Sequence, residues 1–435
     1  MNQSQISNLK SQIKEDIEIM SPAGSFDAVM AAIQGGAGSV YFGAGQLNMR
    51  SRSSSNFSPD EIRQIADICT NHGVKSYLTL NTIIYDTEMD EMMHMVDIAK
   101  ESGVTAIIAS DLSVLEYARE KGVEVHISTQ CNITNLSAVK FYSRYADVMV
   151  LARELGIPQI EAITRAIREQ NIRGPKGELV KIEIFVHGAL CMAVSGKCYI
   201  SLDNLNSSAN RGACLQPCRR AYDVKDADSE LELQVDNKYI MSPKDLMTIP
   251  ILNRLLDAGV SVLKIEGRGR SAEYVKTVTR TYHEAVEGWA RGEYTKENIE
   301  KWTEQLRTVY NRGFWGGYYL GEKTGEWSEK YGSQATSRKV YVGKVVNFFG
   351  KLNVAEIKVE THSIGLNDNL LIMGPTTGAY EGTADEIRVD LNPVERAVKG
   401  DACSIPVTDT IRRGDKVYLV VSAGHALYQT QDKNS

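Results

Sequence analysis

One phrase recurs through the first 270 residues and restricts the fold more than any other feature: an amphipathic helix, a glycine, then a short apolar strand. Eight segments read as strands: Ile17–Pro22, Ser39–Gly43, Lys75–Asn81, Ala106–Asp111, Glu124–Gln130, Val148–Glu154, Glu183–His187 and Val262–Glu266. Several are near-continuous apolar runs, the pattern of parallel strands covered on both faces. Gly38, Gly73, Gly103, Gly122 and Gly259 stand just before strands, where a helix must stop and a left-handed residue helps. The helices keep a 3.6-residue period. Ile62, Ile65, Ala66 and Cys69 form one stripe, and Met89, Met92, Met93, Val96 and Ala99 another, a spacing that core packing explains by itself. Eight strands alternating with helices predict an α/β fold, a (β/α)8 TIM-like barrel, with an open doubly wound sheet as the rival.

A barrel of this kind carries its chemistry at the carboxyl ends of its strands. Polar residues gather there: Ser21, Asn81, Ser110 with Asp111, Ser128 with Thr129 and Gln130, Arg153 with Glu154, His187, and Glu266 followed by Arg268. Arg50, Arg153 and Arg268 are candidates to hold an anionic ligand, because a guanidinium can grip a carboxylate with two parallel hydrogen bonds. Asn81, Gln130 and Lys264 complete the candidate binding set. His126, His187, Glu266 and Arg153 are the candidate catalytic residues, the histidines because they can move protons near neutral pH.

The connection between the seventh and eighth strands is too long for a simple crossover, and long ordered insertions usually carry function. It spans about 189–260 and holds four of the seven cysteines. Cys191, Cys198, Cys214 and Cys218 follow the spacing C-x6-C-x15-C-x3-C. Four soft thiolates from one loop can close a metal site. The spacing is neither the C-x2-C pairing of zinc ribbons nor C-x3-C-x2-C. An iron–sulfur cluster is the expectation, structural zinc the alternative. Residues 1–321 then form the barrel with its insertion and trailing helices, and 322–339 a polar linker. Residues 340–424 change to a period of two and predict a small antiparallel β-barrel, with 425–435 as a tail.

Composition excludes little beyond the extremes. No run approaches the roughly 18 apolar residues a bilayer demands, and Met1–Asp16 has no apolar signal core, so a cytoplasmic protein is expected. The net charge of −6 does not advertise nucleic-acid binding, so such a role needs a local patch. Arg211, Arg219 and Arg220 flank the second cysteine pair. Lys264, Arg268, Arg270, Lys276 and Arg280 against Glu266 and Glu273 give five minus two, or +3, which could steer phosphates.

The segment Glu183-x-Phe185-x-x-Gly188-Ala-Leu-Cys191-x4-Gly196-x-Cys198-x-Ile-Ser201 resembles the signature of the collagenase-like peptidase family U32. So do Met20-Ser-Pro-Ala-Gly24, His126 to Asn132, Leu151-Ala-Arg-Glu154, Ser242 to Leu246 and Leu263 to Arg268. In size and layout the chain is most similar to the family members that hydroxylate wobble uridine of tRNA with prephenate. That resemblance implies a [4Fe-4S] cluster on Cys191, Cys198, Cys214 and Cys218, prephenate as co-substrate, tRNA as partner and 5-hydroxyuridine as product. The peptidase reading finds neither an H-E-x-x-H helix nor a G-x-S-x-G elbow. The third reading is a non-catalytic RNA-binding or assembly protein with a structural metal.

Overall fold

The structure, a computed structural model, describes residues 10, 14–52, 56–222, 241–321, 325–330 and 332–425. Parts of the N-terminal stretch, the insertion and the linker, and all but one residue of the tail, lie outside the described residues.

Seven parallel strands follow in order: β1 (Glu18–Ala23), β2 (Ser39–Phe42), β3 (Lys75–Leu80), β4 (Ala106–Ala109), β5 (Glu124–Ile127), β6 (Val148–Val150) and β7 (Lys181–Gly188). A short β8 (Asp245–Met247) lies antiparallel on the end of β7. The next strand, β9 (Val262–Ile265), pairs with both β7 and β1 and closes the barrel. The doubly wound alternative is excluded by that closure. Strand residues alternate between two faces. One face packs under the helices in the main core, and the other fills the barrel's interior with Met20, Tyr41, Tyr77, Ala106, Ile108, Val148 and Val262.

Several strands stop earlier than their sequences suggest. β4 ends at Ala109, β5 at Ile127 and β6 at Val150, so the polar residues expected on them begin the loops. Asp111 caps the helix Leu112–Glu120, its carboxylate accepting from the Ser113 amide at 3.0 Å. The excursion from the barrel is also shorter than 189–260. Residues from Asp245 onward rejoin the barrel through β8, and the helix Leu252–Asp257 leads into β9.

After β9 come the helices Ala272–Arg291 and Lys296–Arg307, then β10 (Phe314–Trp315), which extends the sheet beside β8. Ser337–Phe349 starts an antiparallel domain, inside the stretch read as linker. Its eight-stranded sheet and a two-stranded ribbon enclose a core of Val340, Val342, Ile357, Ile372, Cys403 and Leu419, among others. The domain docks on the barrel's helices. Gln34 donates to the Thr377 carbonyl at 2.8 Å, Lys276 to the Ala379 carbonyl at 2.6 Å, and Arg280 pairs with Glu381 at 2.9 Å. Lys276 and Arg280, expected to attract phosphates, are therefore spent on this interface. No helix among the described residues is long and apolar enough to cross a membrane.

Candidate active site

The mouth of the barrel holds a cavity of about 180 Å³, lined from below by strand ends and from above by the insertion. Parity along β9 sets its floor. Val262 faces the interior, so Lys264 and then Glu266 point the same way. Lys264 is buried and donates to Glu183 at 2.8 Å, with its ammonium 4.7 Å from the Tyr41 ring centre. That pair neutralises two charges in the barrel's interior.

Above it, Glu266 meets Arg50 at 2.7 Å and accepts from the Tyr41 hydroxyl at 3.3 Å. Burial opposes ionisation of Glu266, but the charges of Arg50, Arg153 and Arg268 overcome it and hold the carboxyl down at about 2. Arg268 donates to Asn48 at 3.0 Å and Thr79 at 2.9 Å, and burial lowers its pKa to about 10. Gly43 makes room for it, since a β-carbon there would meet the Arg268 guanidinium. Arg153 lies over the Phe185 ring at 3.9 Å and donates to the Ala189 carbonyl at 3.4 Å, while its buried Nε has no partner. Asn81 donates to Ser128 at 3.1 Å and accepts from the Met49 amide at 3.1 Å. Gln130 accepts from the Ser128 hydroxyl and supports Gly196 of the insertion. The cavity is thus lined by all six candidate binding residues, Arg50, Asn81, Gln130, Arg153, Lys264 and Arg268.

Cys191, Cys198, Cys214 and Cys218 line the same cavity from the insertion side. All four are free thiols. Burial pushes the Cys218 thiol up to about 11; Arg219 opposes this, and the neighbouring Cys191, Cys214 and Cys198 reinforce it. Even so, among the described residues no three His, Cys, Asp or Glu side chains converge tightly enough to hold a single metal ion. Arg219, which flanks the second cysteine pair, ties the insertion down, donating to the Leu190 carbonyl at 2.7 Å and the Pro243 carbonyl at 2.6 Å. Arg211 is paired with Glu88.

Both histidines fall outside this cavity. His126 points into the barrel but one layer below the mouth, 4.5 Å from the Tyr77 ring and 3.3 Å from Glu124. It lines a separate cavity at the amino ends of the strands. His187 is turned outward. The register slips between Phe185 and His187 where β7 pairs with β9, and this bulge reverses the parity of the strand's last residues. Its ring packs among Tyr274, Tyr282 and Phe314. Burial, aided by Arg270, drives its pKa down to about 3, so it stays neutral. Neither histidine is placed to move protons at the mouth. Tyr41, Thr79 and Asn48, not singled out from the sequence, take part through the hydroxyl and amide contacts above. Only alternation along β2 and β3 could have marked Tyr41 and Thr79 as inward-facing.

A closed (β/α)8 barrel whose arginine-lined mouth is roofed by a four-cysteine insertion defines the class of protein. Residues 24–329 match Peptidase family U32, and the chain belongs to that family. It is 56% identical over 403 residues to a protein named collagenase from Porphyromonas gingivalis, covering 93% of this chain and 97% of the relative. It is 31% identical over 392 residues to a tRNA hydroxylation protein of Bacillus subtilis, covering 88% and 90%. A 23S rRNA 5-hydroxycytidine synthase of Escherichia coli is 36% identical over 272 residues, covering 62% of this chain and 39% of that protein.

Proposed function

We propose that the protein is an RNA-modifying enzyme that hydroxylates wobble uridine of tRNA to 5-hydroxyuridine in the cytoplasm, with prephenate as co-substrate and a [4Fe-4S] cluster. The observation that carries this reading is the meeting of four thiols and four arginines in one cavity at the catalytic end of the barrel. Relatives named for tRNA and rRNA hydroxylation support the substrate class.

Cys191, Cys198, Cys214 and Cys218 would hold the cluster. They fit it in type and number. A single zinc would draw the sulfurs to about 4 Å of one another, since each Zn–S bond is roughly 2.3 Å. A cluster with one thiolate per iron takes four thiolates, the number these cysteines supply along one cavity wall. When bound, such a cluster supplies electron exchange and an iron site that can polarise a ligand.

The chain's own residues bind and orient. Arg153 offers a buried, unpartnered Nε to an incoming carboxylate. Arg268 adds a second fixed cation, held by Asn48 and Thr79. Glu266 is ionised at neutral pH, so it cannot donate a proton there. It instead fixes Arg50 and accepts from Tyr41. The target base must unstack to reach a cavity of this depth.

Proteolysis is favoured by the family's name and by the names of several relatives but lacks a relay: His187 is held by Tyr282 on the far side of β7 from Cys191. The test is anaerobic purification with iron, sulfide and zinc analysis, joined to nucleoside mass spectrometry of tRNA from a strain lacking the gene. Unchanged 5-hydroxyuridine overturns the reaction. A colourless, zinc-loaded protein overturns the cluster.

A further inference from the structure

We propose that a second cavity, behind the cysteine-bearing insertion, holds a phosphate group, supplied by the RNA strand whose base enters the barrel mouth; that source rests on the RNA reading above. The cavity has a volume of about 510 Å³. Arg219 and Arg220 line it from the insertion, Tyr310 and Arg312 from the chain ahead of β10, and Lys330 from the chain beyond it. Four cations from three separate stretches thus meet on one concavity, and no acidic side chain is among its described lining residues. Cys214, Gln216 and Arg219 line both this cavity and the mouth, so the insertion forms a wall shared by the two.

These cations are poorly neutralised. Arg219 donates only to uncharged oxygens, the Ser242 hydroxyl at 3.1 Å and the Leu190 and Pro243 carbonyls. Burial, and then the charge of Arg312, lower its pKa from the ordinary value. Arg312 has a counter-ion in Asp245 at 3.1 Å. The side chains of Arg220 and Lys330 are exposed and have no ion pair among the described residues. The Tyr310 hydroxyl has no hydrogen bond among them either, and a fifth cation, Arg270, lies 3.6 Å from its ring centre. Of the nearby carboxylates, Glu326 is taken by Lys244 at 2.7 Å, and Glu329 is exposed. Residues 223–240, outside the described ones, carry six acidic side chains against two basic. The insertion as a whole is therefore not basic, and the positive charge is local to this lining.

Shape and charge select the ligand. A carboxylate presents two oxygens in one plane, which a single guanidinium satisfies. A phosphate presents its oxygens around a tetrahedron, which suits cations arriving from several stretches of chain. The Gln216 side-chain amide, without a hydrogen bond among the described residues, stands in the shared wall as a further donor. In a nucleotide one sugar separates base from phosphate, the scale of a wall one loop thick. A base drawn into the mouth would leave its phosphate at this second cavity.

The experiment is calorimetry of the full chain with inorganic phosphate, repeated with acetate and with polyglutamate at matched ionic strength. The parent is expected to bind phosphate in preference to both. Arg220→Gln with Lys330→Gln should weaken phosphate binding roughly tenfold or more. Arg153→Ala, at the mouth, should bind phosphate like the parent. No phosphate binding, equal binding of acetate or polyglutamate, or a double variant that binds like the parent overturns the proposal. Loss in Arg153→Ala with retention in the double variant places the phosphate at the mouth and overturns it too. Nucleoside mass spectrometry of tRNA separates the two sources of phosphate. Lowered 5-hydroxyuridine in the deletion strain carrying the double variant at low expression assigns the site to the RNA strand. Full 5-hydroxyuridine there overturns that assignment and leaves the hydroxylase standing. Phosphate binding that needs Arg220 and Lys330, in a protein whose deletion leaves 5-hydroxyuridine unchanged, upholds the site for a free phosphate ester and sinks the hydroxylase.

Discussion

Arg50 and Glu266 meet at 2.7 Å across 216 positions of the chain, one on the loop after β2 and the other just beyond β9. Glu266 is the anion that allows Arg50, Arg153 and Arg268 to share one cavity. Its replacement by glutamine leaves those cations without a counter-charge. We expect Glu266→Gln to lose about 2–4 kcal/mol of stability, measured by denaturant unfolding, because breaking a buried pair strands the remaining charge. A loss below about 0.5 kcal/mol contradicts that account.

Arg153 lines the cavity with its guanidinium stacked on Phe185 and a buried Nε that has no protein partner. Prephenate should raise the melting temperature of the parent protein and not that of Arg153→Ala. Arg153→Lys keeps the charge but not the planar fork, so affinity should fall roughly tenfold or more in calorimetry.

If the four cavity thiols hold the proposed cluster, removing one of them should remove it. Cys198→Ala is expected to lose most of its iron and sulfide after anaerobic purification, together with its visible absorption. Cys69→Ala is the control. That thiol is on the buried face of the helix Ile62–Asn71, where burial pushes its pKa up to about 12, and its loss should leave the iron unchanged.

His187 predicts a stability change with pH. Its pKa is about 3 folded, against an ordinary value of 6.5, so the unfolded chain binds the proton first as pH falls. Its contribution is full above 6.5 and declines from there toward 3. His187→Phe should flatten the stability curve through that window in urea titrations. A slope identical to the parent's shows that the ring is not kept neutral. Glu124 and Glu266, each held at about 2 against 4.5, lose their contributions only at lower pH, from 4.5 toward 2.

Gly43 is a steric test of the mouth. A β-carbon there meets Arg268, Asn56 and Asn48 together. Gly43→Ala should displace the Arg268 guanidinium and weaken prephenate binding about tenfold, while far-ultraviolet circular dichroism stays unchanged. Retained affinity would show that Arg268 does not contact the ligand.

The barrel was legible because buried parallel strands need continuous apolar runs, and because glycines mark where most of the barrel helices stop. The insertion was legible because its cysteines crowd together. The histidines misled for two separate reasons. His126 sits in the middle of β5, where inward-facing layers are two residues apart and residue types do not tell the mouth from the layer beneath it. His187 follows a bulge, and an extra residue that flips a strand leaves no trace in a pattern of residue types. Lys276 and Arg280 read as free charges because the face they sit on is covered by a domain encoded a hundred residues later.

The chain leaves the barrel at Gly188 and returns with Leu246 paired directly against that glycine. Departure and re-entry share one doorway, so the cysteine-bearing segment behaves as a cassette clipped to a finished barrel. Changes to its length or sequence therefore need not move any of the eight staves.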